Sequence, residues 1–63
     1  MYYSLLVKEG GKWSIQFGDY SRKIVIQEMD DEYSGQICTI IKTGDQQIEI
    51  NRAVEDLNRK MDK

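Results

Sequence analysis

The chain is 63 residues long, with nine Lys and Arg against eleven Asp and Glu, a net charge of −2 and a sequence pI near 4.9. Such a length supports one domain without linker or internal repeat and is too short to wall a deep catalytic cleft. The basic residues Lys8, Lys12, Arg22, Lys23, Lys42, Arg52, Arg59, Lys60 and Lys63 are scattered, whereas a phosphate-binding surface needs clustered cations, so nucleic acid is not an expected partner.

The start Met1-Tyr2-Tyr3-Ser4 lacks the basic opening of a signal peptide, and no apolar run approaches the roughly 20 residues of a membrane span. A cytoplasmic protein with no membrane partner is the expectation. Two alternating runs, Tyr3-Leu5-Val7 and Trp13-Ile15-Phe17, flank Glu9-Gly10-Gly11-Lys12 and read as a β-hairpin. A two-residue Gly10-Gly11 turn opposes Lys8 to Trp13 and Ser4 to Phe17, which wastes the aromatic face. A three-residue loop of Glu9, Gly10 and Gly11 opposes Val7 to Trp13, Leu5 to Ile15 and Tyr3 to Phe17. Cross-strand pairing favours this second register, with Gly11 in the left-handed position of a bulge.

Gly18-Asp19-Tyr20-Ser21 then reads as a turn, with Asp19 or Ser21 capping the helix that follows and Tyr20 stapling its entry. The β-branched Ile24-Val25-Ile26 suits a strand, but Val25, Met29 and Tyr33 recur every four residues. The absence of Gly or Pro from Arg22 to Tyr33, before a stop at Gly35, decides for a helix. Gln36 to Lys42 reads as a strand ended by Thr43-Gly44-Asp45. Thr43 with Gln46, or Asp45 alone, is the expected cap of a second helix, in which Ile50, Val54, Leu57 and Met61 form an apolar stripe widened by Ala53 and Ile48.

The predicted fold is therefore α+β, β-β-α-β-α, a three-stranded antiparallel sheet in the order 3-1-2 with two helices packed on one face. The first strand is central because both its faces are apolar. By the right-handed crossover rule, both helices are expected on the face carrying Leu5, Val7, Trp13, Ile15 and Phe17. The other face, with Tyr2, Ser4, Leu6, Ser14, Gln16 and either Cys38 with Ile40 or Ile37 with Ile41, is expected to be open. Tyr2, Leu6 and Ile40 are accordingly the candidate interaction surface.

Little chemistry is offered. Cys38 lies in the apolar run 37–41 with no basic neighbour or second ligand, and reads as a buried strand thiol. Glu28, Asp30, Asp31 and Glu32 are the one concentrated acidic cluster, but no glycine-containing loop wraps them, and a solvated helix end is the simpler reading. The chain has no His, so neutral-pH proton shuttles and Ser/His or Cys/His pairs are absent. No catalytic, metal or cofactor residues are assigned, and the chain is not expected to be an enzyme.

Gly-Gly-Lys-Trp at 10–13, Phe-Gly-Asp-Tyr at 17–20, Thr-Gly-Asp at 43–45 and Ala-Val-x-x-Leu-Asn at 53–58 give the chain, over nearly its whole length, a pattern that resembles short uncharacterised accessory proteins of tailed bacteriophages and prophages. The resemblance implies a bacterial host cytoplasm as the setting and carries no catalytic residues. Two functions are consistent with this reading: a module that binds a host or phage protein, and a self-associating, homodimeric structural protein.

Overall fold

A computed structural model describes residues 1–61 and contains β1 (Tyr2–Glu9), β2 (Lys12–Asp19), α1 (Arg22–Glu32), β3 (Cys38–Thr43) and α2 (Gln47–Met61). The strands form one antiparallel sheet in the order β2-β1-β3. The α+β class, the β-β-α-β-α order and the central first strand thus stand as the sequence indicates.

The hairpin register differs from expectation. Gly10 and Gly11 form a two-residue turn in which both residues have positive φ, 57° and 82°, opposing Lys8 to Trp13, Val7 to Ser14 and Leu6 to Ile15. A turn with two left-handed residues has the twist of the strands that it joins, and that match outweighs the aromatic pairing. A bulge then shifts the register between Leu5 and Leu6, so that Gln16 is passed over and Leu5 faces Phe17. One extra residue reverses the parity of everything beyond it. Trp13 and Ile15 consequently point to one side of the sheet and Phe17 to the other, whereas a single register had assigned all three to one side.

That division matches how β1 is covered. Ser4, Leu5 and Leu6 are wholly buried and Val7 is 1% exposed, and side chains alternate between faces, so both faces of β1 are covered. A three-stranded sheet with both helices on one side would be about 13 Å thick and under about 20 Å wide. The observed extents of 31 × 28 × 12 Å fit helix, sheet and helix stacked in a slab only three strands wide. Each helix packs on strands, and neither packs extensively on the other. The Cys38 thiol lies 3.7 Å from the carbonyl of Tyr33, the C-cap of α1, which puts α1 on the face of Leu5, Val7 and Phe17, as a right-handed β2-α1-β3 crossover requires. α2 then covers the face of Leu6 and Trp13. The helices lie on opposite faces of the sheet, and the open face inferred from sequence does not exist over β1.

Within α1, Val25 is wholly buried. Of the two proposed caps Ser21 is the one used: its hydroxyl accepts from Ile24 N, while the Asp19 carboxylate accepts from Ser21 N at 2.8 Å and holds the cap residue in place. In α2, Ile50 is buried and Ala53, Val54 and Leu57 are half-buried, but Ile48 is 57% exposed and does not widen the stripe. The side chain of Met61 lies outside the described residues. Neither Thr43 nor Asp45 caps α2. The Gln46 carbonyl accepts from Glu49 N and Ile50 N, the Thr43 hydroxyl donates to the Gly44 carbonyl, and Asp45 is held by Tyr20.

Candidate interface at the β3 edge

The three residues proposed as an interaction surface do not share one. Leu6 is wholly buried beneath α2. Ile40 pairs with Leu5 and so lies on the opposite face from Leu6. Tyr2 is half-buried: its phenol lies over Gly18, where any side chain would collide with it, and its ring meets Tyr20 edge-on, centroids 5.1 Å apart at 78°. Tyr20 is 63% exposed and does not staple the helix entry; its hydroxyl donates to Asp45 at 3.2 Å. That hydrogen bond, and then the Asp45 charge, hold the Tyr20 phenol above the ordinary tyrosine range.

Cys38 is half-buried, with its thiol directed at the carbonyls of Tyr33 and Gln36. Glu28, Asp30, Asp31 and Glu32 form no ion pair among the described residues, and no described group of three or more His, Cys, Asp or Glu is placed to hold a metal ion. No described helix is long and apolar enough to cross a membrane. Lys12, Glu55, Asn58 and Arg59 line a wide, polar surface depression.

What distinguishes the surface is the contrast between the two edges of the sheet. Successive residues of a strand direct their N–H and C=O to alternate sides. On β2, Trp13 directs its pair outward, and Asn58 of α2 takes both groups: its Oδ1 accepts from Trp13 N at 2.7 Å and its Nδ2 donates to Trp13 O at 3.2 Å. With the bulge at Gln16 and the charged Lys12 next to Trp13, this edge is interrupted as a template for another strand. On β3 the phase is set by the bond from Lys8 N to Ile37 O, 2.9 Å, which turns Ile37, Thr39, Ile41 and Thr43 inward to β1. Cys38, Ile40 and Lys42 therefore direct their backbone groups away from the sheet. Among the described residues none of those outward groups has a hydrogen-bond partner.

The β3 edge is thus a six-residue template with an unbroken register against β1, half-buried except at the exposed Lys42. The sequence holds a signal for the strand, since Ile37 to Ile41 is an apolar run rich in β-branched residues, but which strand has a free edge depends on sheet order and hydrogen-bond phase. The chain was also compared with known proteins, and no protein-family model, no curated protein and no solved structure matches it.

Proposed function

We propose that this protein is a non-catalytic protein-binding module that works by strand addition at β3. The observation that carries the reading is the asymmetry of the edges: α2 spends Asn58 on closing β2, while Cys38, Ile40 and Lys42 keep unbonded backbone donors and acceptors on a regular strand. Strand addition takes its affinity from such main-chain groups and its specificity from flanking side chains. The phage and prophage resemblance is the reason to seek partners in a bacterial cytoplasm.

The test compares wild type with Lys42→Pro as bait in a bacterial lysate and in self-association assays. Proline at position 42 removes an outward N–H and leaves the inward ladder to β1 intact. The reading expects proteins, or further copies of the chain, held by wild type and lost by Lys42→Pro, with unchanged circular dichroism. If nothing binds wild type, or everything that binds it also binds the proline variant, strand addition at β3 is refuted.

A further inference from the structure

We infer that the strand added at β3 is the β3 of a second copy, giving a two-fold dimer with a continuous six-stranded sheet. This rests on the β3 edge being a strand-addition site and names its occupant. The outward groups belong to Cys38, Ile40 and Lys42, spaced evenly about Ile40. An antiparallel copy related by a two-fold axis at Ile40 satisfies all of them: Ile40 faces Ile40, and Cys38 of each copy faces Lys42 of the other. The one charge on the strand never meets its own image.

Charge completes the match. Cys38, Ile40 and Lys42 all lie on the α1 face, and Cys38 lies against the carbonyl of Tyr33 at the C-terminal end of α1. That end carries Asp30, Asp31 and Glu32, all exposed and without ion pairs among the described residues, and its last turn has no basic residue. Among the described residues no ion pair therefore offsets the negative end of this helix dipole. The two-fold pairing brings Lys42 of the second copy opposite Cys38, about 5.5 Å away between Cα atoms, within reach of this acidic helix end. Lys42, exposed and without an ion pair among the described residues of its own copy, supplies that cation. An unrelated peptide would have to reproduce both the strand register and this cation, whereas a second copy has both.

Sedimentation equilibrium of the full chain, from micromolar to millimolar, tests the proposal together with amide hydrogen exchange by NMR. Wild type should dimerise reversibly, and protection of the Cys38, Ile40 and Lys42 amides should rise with concentration while that of Thr39 and Ile41 is already high. Lys42→Glu should weaken the dimer by about tenfold or more, since it sets like charges together. Adding Asp31→Lys and Glu32→Lys to Lys42→Glu should restore association, which a general loss of folding cannot do. A strict monomer at millimolar concentration overturns the second copy as occupant, as does a dimer in which Cys38, Ile40 and Lys42 remain unprotected or in which the charge reversal is not rescued. If lysate proteins are still captured by wild type and lost by Lys42→Pro, strand addition survives that outcome and only the occupant changes.

Discussion

Leu5 and Leu6 are consecutive in β1, and truncating each in turn tests how the sheet is covered. Both are wholly buried: Leu5 lies between Phe17 and Ile40, and Leu6 between Ile15 and Thr39. On a sheet covered on one side, consecutive residues alternate between core and water, and only one of the two truncations would be costly. Here α1 lies over one and α2 over the other, so Leu5→Ala and Leu6→Ala should each destabilise by about 2–5 kcal/mol. A domain of this size has about 3–9 kcal/mol in total, so either variant loses a large share of its stability. Urea unfolding followed by far-ultraviolet circular dichroism gives the two midpoints under identical conditions. Leu6→Lys, which an open face would tolerate, should abolish the cooperative transition, because the charge has no partner beneath α2. A Leu6→Ala midpoint within about 0.5 kcal/mol of wild type, beside a large loss for Leu5→Ala, would refute the two-sided arrangement.

Asn58→Ala should cost about 1–3 kcal/mol, because it leaves both backbone groups of the half-buried Trp13 without their partner; an unchanged thermal midpoint would show that water replaces the amide fully. Gly10→Val and Gly11→Val should both destabilise, by about 1–2 kcal/mol each from backbone strain alone, since both have positive φ and open space where a Cβ would stand. Gly10→Asn should be nearly neutral, as Asn-Gly suits this turn, and a large loss at only one of the two glycines in urea unfolding would contradict its geometry. Asp45→Ala should lower the pH at which Tyr20 ionises, read from its ring resonances by NMR, because Asp45 is what raises it. The raised folded value means that the stabilising contribution of this contact is present below the ordinary tyrosine pKa of about 10 and is lost as pH rises through the folded one; an unshifted Tyr20 titration in Asp45→Ala would remove that link.

Local sequence determined the elements and their order. The alternation around Gly10-Gly11, the four-residue recurrence of Val25, Met29 and Tyr33, the β-branched stretch Gln36 to Lys42 and the stripe through Ile50, Val54 and Leu57 each report a pattern that belongs to one kind of backbone. The apolar residues on both faces of β1 likewise made it the central strand. Tertiary structure decided where the parity of β2 changes, which face each helix covers and which edge remains free. The bulge at Gln16 has no local signature, because its benefit appears only when helices on both sides need apolar partners and Trp13 must be divided from Phe17. Local alternation puts Leu6 on the face opposite Leu5 and Val7; its burial there follows from the position of α2, about forty residues further along the chain. The β3 edge is legible as a strand in the sequence, but its free hydrogen-bonding groups follow from the Lys8-Ile37 bond and from Asn58 closing the opposite edge. Both are contacts between residues far apart in sequence, and no local periodicity encodes them.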